Sequence, residues 1–491
     1  MRSRIHPAHP GAHRHEGPGG AVRYRPRLLL AAEARLARRV QRRPPFTITY
    51  HIRPEARWSD GVPVTARDFV FTVRMARKLA RPEDWFRTHV RTIRALDEKT
   101  VRIVLQSRFS GWQDFGSVLP AHALAGEDLT RVWTDRIDNP KTGAAIGSGP
   151  FLVERWERGQ QLVLRRNPNY WGPRTAYLDR LVVRLQTQGP ALAGLFRSGE
   201  IDVASHFPPG FVAGLRQEPG VKVVSNQRAA GWDHFEIRMG VGGHPALRIK
   251  LVRRALAYGV DREAIVERFL RETDPEAAPR DSALFPQRSP YYRRNWRIYD
   301  HRPAEARRLL EQAGCRRGSD GIYECGGRRL SLRFVTTALA GGFRPGVVEL
   351  AQAQLRQVGV EVVPAFAPSN ALFNQIVASG DFDVALFSWI AGPNAAGAKD
   401  IFSCGGFQNY TGYCQRLVTA GFDQAQRTLD PDQQATVLNR VDAQMVKDVP
   451  VIPLYQQTQS IAVRSELRNV GLALSTQLSP LWNAESWWLA E

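Results

Sequence analysis

The sequence predicts an α/β protein of two or three domains, and three observations carry that reading. At 491 residues the chain is too long for one hydrophobic core. Apolar residues make up 43% of it and charged residues 23%, the balance of a folded globular chain. From residue 303 onward, helical and strand periodicities alternate at lengths that imply a parallel sheet with right-handed crossovers.

The elements follow in order. Residues 1–24 are mainly Pro, Gly, His and Arg without periodicity, and read as a disordered tail. Its histidines (His6, His9, His13, His15) lack the acid or Cys that would complete a site, so neither metal nor cofactor is expected. "PFTITYHIRP" alternates Phe46, Ile48, Tyr50 and Ile52 against polar partners, as a half-buried strand does. In "ARWSDGVPVTARDFVFT", Asp60-Gly61 makes a turn. Thr65 then caps a helix with Asp68 as its capping-box partner. Phe69, Val70, Val73 and Ala76 share one face of that helix. This role is sufficient, and acid catalysis by Asp60 or Asp68 is not expected.

"KTVRIVLQS" is a second alternating strand, and Phe151–Trp156 and 161–164 form a hairpin turning at Arg158-Gly159. Gly147-Ser148-Gly149-Pro150 is no phosphate loop: no Lys-Ser/Thr follows, and a strand comes next. "LDRLVVRLQ", "GPALAGLFRSGEID" and "KVVSN" read as a βαβ-like unit. A helix pair follows, the first marked by Leu247, Leu251, Ala255 and Leu256, the second capped by Asp261. The later region predicts helices over 303–313 and 347–358, ended by Gly314 and Gly359, then a short helix to Gly380. Between them lie the strands "RLSLRFVTT", "VEVVPAF" and "DFDVALFSW". A helix over 430–447 runs into "DVPVIPLYQQ", whose prolines favour an edge strand, and the Trp-rich tail should be packed. Ligands gather at the carboxyl ends of parallel strands, which places a binding surface at Trp389 and the following "IAGPNAAG".

A net charge of +21 invites a nucleic-acid reading. The basic residues are mostly Arg, are dispersed along the chain, and belong to no zinc-finger, RNP or basic-zipper signature, so no nucleic-acid partner is expected. Affinity for anionic surfaces at low salt follows from the charge. The four cysteines fall into two local groups, "CRRGSDGIYEC" and "CGGFQNYTGYC", neither with C-x-x-C spacing. Two local disulfides in an oxidising compartment are one reading, and four free thiols the other. No export signal accompanies them: "MRSRIHPAHPGAHRHEGPGG" has charge but no apolar segment. Either the protein is cytosolic, or the chain lacks its true amino end.

The chain resembles the extracytoplasmic solute-binding proteins of family 5, the peptide, oligopeptide and nickel type of ABC importer. Six stretches in order carry the resemblance: "YHIRPEARWSDGVPVTARDFVFT", "GSGPFLVERWERGQQLVLRRNPNYWG", "LVRRALAYGVDREAIV", "RPAEARRLLEQAG", "GDFDVALFSW" and "DVPVIPLY". The Cys-bracketed loops look like those of actinobacterial members. The resemblance implies a periplasmic-binding-protein-like fold (class II, cluster C), with two lobes, a hinge and an extra inserted subdomain. Domain I would comprise 25–51, 146–237 and 458–491, domain II 52–145, and domain III 238–457. It also implies a monomer outside the cytoplasm, in the periplasm or at the cell surface. Membrane association would come through permease subunits or a lipid anchor missing from this chain. Trp389 matches a pocket aromatic of the family; Asn394, Asn409, Tyr410 and Trp232 are the other candidate ligand contacts. Members that bind a peptide's free amino end place an Asp shortly after that Trp. Here Gly392 and Pro393 stand there, and the first acid is Asp400.

No G-x-S-x-G, H-E-x-x-H or Rossmann fingerprint occurs, and His51, His89, His122, His206, His234, His244 and His301 are scattered singly. His234 has Asp233 beside it, but adjacent strand residues point to opposite faces. A binder of a peptide or small solute is expected, not an enzyme. The alternatives are a secreted hydrolase acting on peptides and a nickel-type chelate binder of the same fold.

Overall fold

The computed structural model describes residues 35–40, 45–79, 85–113, 115–132, 138–184, 191–205, 207–226, 231–338, 342–392, 394–471 and 481–490. The expected disordered tail and its histidines lie outside the described residues, as do His206 and Pro393.

The largest sheet has five strands, in the order Glu361–Ala367, Ser331–Thr337, Val384–Ile390, Gly231–Ile237, Val451–Gln456. The first three run parallel, as their alternation with helices predicts. Gly231–Ile237 runs antiparallel to both its neighbours. Val451–Gln456 takes the sheet's edge, where Pro453 removes no needed ladder donor.

Helices Lys250–Gly259, Arg262–Phe269, Pro303–Gln312, Arg344–Gln357 and Pro431–Asp448 bury Val252, Ile265, Leu309, Val347 and Leu438 in one apolar core with one face of this sheet. Asp261 caps the second of them, its Oδ1 accepting the Ala264 amide at 2.9 Å. Gly359 stops the fourth at φ +83°, and a Cβ there would meet the Tyr323 ring at 2.5 Å. The other face packs Val335, Ala385 and Phe387 against the π-helical turn Leu372–Val377.

A second core lies under the sheet of Arg35–Val40, Thr47–Ile52, Thr100–Leu105 and Val90–Ala95. Ile48, Tyr50, Ile52, Val101, Ile103 and Leu105 alternate inward, as their spacing predicts. Helix Ala66–Leu79 buries Phe69 and Val73 against them. Asp68 is 3% exposed and ties this unit together. It accepts the Thr65 amide at 2.8 Å, the Ala121 amide at 2.8 Å and the Trp58 indole at 3.3 Å. The first of these is the return half of the expected capping box.

A third group of strands departs from the βαβ-like reading. Arg180–Arg184 pairs with the hairpin Phe151–Glu157 and Gln161–Arg166. Val221–Asn226 belongs to a different sheet, where Gln459–Arg464 lies antiparallel between it and Val203–Ser205. Local periodicity marks a strand but not its partner, and here the partner is more than 200 residues away. Ile461, Val463 and Trp487 complete the core begun by Phe151, Leu164 and Leu181.

Both cysteine groups are disulfides, Cys315–Cys325 and Cys404–Cys414. Each closes a ten-residue separation, which stabilises the fold by about 2–3 kcal/mol. No helix among the described residues is long and apolar enough to cross a membrane.

Asp68→Ala would leave two amides and an indole without an acceptor inside a core. A loss of about 3 kcal/mol follows, visible as a melting temperature lower by several degrees. Asp68→Asn keeps one acceptor oxygen and should lose less. An unchanged melting curve for Asp68→Ala would contradict this role.

Candidate functional site

The parallel strands end at Thr337, Ala367 and Ile390, beside the start of Gly231–Ile237 and the end of Val451–Gln456. Register sets Trp232 opposite Trp389 on one side and opposite Gln456 on the other. The Gln457 amide donates to the Gly231 carbonyl at 2.9 Å, so the two chain crossings out of this sheet run side by side.

Asp233, 2% exposed, anchors one side of this end. It accepts Arg344 Nε at 2.9 Å and Nη2 at 3.1 Å, the Tyr455 hydroxyl at 3.0 Å, Gln457 Nε2 at 3.0 Å, and the Ser388 hydroxyl. Burial alone would push its carboxyl up, but the Arg344 charge and these donors outweigh burial and hold it below the usual range. Arg344 is raised in turn by Asp233 despite the opposing effect of burial. Burial, then the Asp233 charge, push the Tyr455 phenol well up.

The other side is aromatic. His234 lies 4.8 Å from Trp232 and 4.8 Å from Phe387, ring centre to ring centre. It is nearly parallel to Trp389 at 6.2 Å, and Trp389 is parallel to Tyr410 at 5.9 Å. Trp389 and Tyr410 are half-buried. Beneath them His234 Nε2 meets Glu236 Oε2 at 2.8 Å, both side chains fully buried. Trp389 Nε1 donates to the same Glu236 oxygen at 3.3 Å. Among the described residues His234 Nδ1 and Glu236 Oε1 have no hydrogen-bond partner. Burial, then the Glu236 charge, push the Tyr410 phenol up.

The candidate residues divide by what their side chains already do. Trp389 and Tyr410 present parallel rings. Trp232 is 3% exposed and carries the Arg280 guanidinium 4.8 Å over its ring. Asn409 braces the Cys404–Cys414 loop, donating to the Ser403 carbonyl at 2.8 Å and the Tyr413 carbonyl at 2.6 Å while accepting from Thr411 at 2.7 Å. Asn394 accepts the Ala396 amide at 3.1 Å and donates to Ser110 Oγ at 3.0 Å. The structure brings together Trp232, Trp389 and Tyr410, and turns the two asparagines to loop and bridge contacts.

Two histidines that look single in the sequence are paired with carboxylates: His122 with Asp60 at 2.8 Å, and His234 with Glu236. The signal for the second was present. The period of two that separates His234 from Asp233 puts it on one face with Glu236. Among the described residues His234 Nδ1 has no hydrogen-bond partner that would extend the pair to a third group. The described residues hold no group of three or more His, Cys, Asp or Glu placed to bind a metal ion.

This arrangement sets two parallel rings, Trp389 and Tyr410, at the carboxyl end of the sheet beside a buried His234–Glu236 pair. Residues 32–407 match the family described as bacterial extracellular solute-binding proteins, family 5. The oligopeptide-binding protein OppA of Mycobacterium tuberculosis (strain ATCC 25618 / H37Rv) is 29% identical over 447 residues, 87% of this chain and 72% of that one. Among solved structures, the periplasmic EDTA-binding protein EppA superposes with a TM-score of 0.81 at 22% identity, covering 91% of this chain and 85% of its own. The oligopeptide-binding protein AppA of Bacillus subtilis, in complex with a nonapeptide, gives 0.75 at 21% identity, covering 93% and 90%. With its two-lobed fold and three quarters of its length matched, the chain belongs to the bacterial extracellular solute-binding proteins of family 5.

Proposed function

We propose that this protein captures a peptide or peptide-like solute between two closing lobes and delivers it to the permease of an ABC importer. The observation that carries the reading is the half-buried pair of parallel rings, Trp389 and Tyr410, at the carboxyl end of the sheet of a family 5 chain. Such a slab binds by apolar area and stacking and needs no activated nucleophile. Trp389 and Tyr410 touch the solute, Trp232 supports them from below, and Asn409 and Asn394 hold their loops. Asp233 is spent on Arg344, and no acid follows Trp389 directly. A free peptide ammonium therefore has no ready counter-charge here, which favours ligands recognised through apolar or neutral polar groups.

The discontinuous first domain is part of the proposal. Gln459–Arg464 returning to Val203–Ser205 and Val221–Asn226 supports it, as does the shared core of Phe151, Ile461 and Trp487. In this reading the crossing lies at the start of Gly231–Ile237 rather than after 237, which the pairing of that strand with the later sheet supports. The working form is a monomer outside the cytoplasm. Its disulfides fit an oxidising compartment.

Thermal-shift screening against peptides, sugars and metal chelates tests the capture reading. A ligand at a hundred times its Kd stabilises by about 2.7 kcal/mol. The expected result is a stabilising peptide that is recovered intact; a chelate alone would move the reading to the nickel type, and turnover of any compound would sink it. Trp389→Ala should weaken the stabilising compound by about 10- to 100-fold. Glu236→Leu should weaken it by about tenfold by freeing the Trp389 indole, with a shift in tryptophan emission. Glu236→Gln, which keeps the acceptor, should restore both.

A further inference from the structure

Asn394 lies five residues beyond Trp389, yet its amide leaves the sheet's own core and donates to Ser110 of the second core. The two sides of that contact are unlike. Ser110 opens the turn Ser110–Gln113, which packs against helix Arg416–Arg427 of the large core. Behind it stands an aromatic stack. Phe109 is 5.1 Å from Trp85, and the His89 ring lies on Phe109 at 4.0 Å, 18° from parallel. On the other side, Asn394 caps the turn Ala395–Ala398, which continues into Lys399–Phe402.

We propose that the Ser110–Asn394 hydrogen bond, with His89 stacked on the neighbouring Phe109, forms a clasp that holds the two lobes closed at neutral pH and opens in acid. It rests on the reading that the lobes close over a solute. The chemistry is a hydrogen bond beside a histidine that the closed form requires to be neutral. The charges of Lys399 and Arg427 act on His89 from the large core; Asp423 is engaged by Lys399 at 2.7 Å. From its own side Arg77 reaches the neighbouring Val90 carbonyl, bringing another cation.

Burial first, then Lys399 and Arg427, lower His89 from its ordinary 6.5 to about 4. The sign follows from that direction. A histidine lowered in the closed form favours closure while it is neutral, so the contribution is complete above pH 6.5. It is lost as pH falls from 6.5 toward 4, because the open form takes up the proton first. At pH 5 the closing equilibrium should weaken, by at most the roughly 30-fold that loss of the whole shift on opening would give.

The test needs no solute, so its failure leaves the capture reading standing, and failure to find a solute leaves the clasp measurable. Amide hydrogen exchange of the full chain is followed at 110–113 and 394–402, with the radius of gyration by small-angle scattering, at pH 7.5 and 5.0. Wild type should expand and lose protection at both segments at pH 5.0. His89→Phe keeps the stack without the titration and should stay closed at both values. Ser110→Ala should raise exchange at 394–402 by about fivefold at pH 7.5, and Asn394→Ala should do the same at 110–113. At 110–113 the double variant should add little to Asn394→Ala, since the bond to Ser110 is already lost there, whereas at 394–402 Asn394→Ala also removes the cap on the Ala396 amide. Equal acid expansion in wild type and His89→Phe would overturn the histidine's role. Wild-type exchange in both alanine variants would overturn the clasp.

Discussion

Strand Gly231–Ile237 places three ionisable side chains inside a sheet, and the site depends on how each is compensated. Asp233 faces one side, His234 and Glu236 the other. An unpaired carboxylate at Asp233 would cost several kcal/mol. Arg344 removes that cost, and in doing so pins the first residue of its own helix to the middle of the sheet end. Ser388, Tyr455 and Gln457 join the same carboxylate, so three strands and one helix converge on one group. The second chain crossing leaves the sheet immediately after Gln457. A rigid anchor therefore sits beside the hydrogen bond from the Gln457 amide to the Gly231 carbonyl.

The aromatic pair has two different supports. Trp389 grows from a strand and is steered by Glu236 under its indole. Tyr410 comes from a loop closed by Cys404–Cys414 and braced by Asn409, with Arg238 holding its carbonyl. A loop without that bracing would have to be ordered by the ligand, at an entropic cost to affinity. Here cross-linking and buried hydrogen bonds do that in advance.

Much of the architecture was legible because burial writes a period into the chain. Ile48, Tyr50 and Ile52 alternate, Gly314 and Gly359 stop helices, and the cysteines stand in two local pairs. Pairing across distance was not legible. Nothing near Val221–Asn226 announces that Gln459–Arg464 will lie beside it, nor that an antiparallel strand enters among parallel ones. At the site, aromatic residues at a strand's end can be recognised from periodicity alone. The commitments of Asn394 and Asn409 cannot, because an amide's partners depend on how loops close. His234–Glu236 was readable by the strand rule, but attention to the adjacent Asp233 hid it.

The strand Gln459–Arg464 has a consequence for how the molecule is made. Ser225 and Ser460 share a hydrogen bond at 2.7 Å across 235 residues of chain. During synthesis, Val203–Ser205 and Val221–Asn226 wait beside an empty place until Gln459–Arg464, some 235 residues later, arrives. Closing so long a loop is slow relative to local structure. The large α/β unit in between can fold as an insertion first, and its completed sheet then delivers the returning strand to the gap. The short connection from Val451–Gln456 to Gln459–Arg464 thus ties completion of the smaller sheet to that of the larger one.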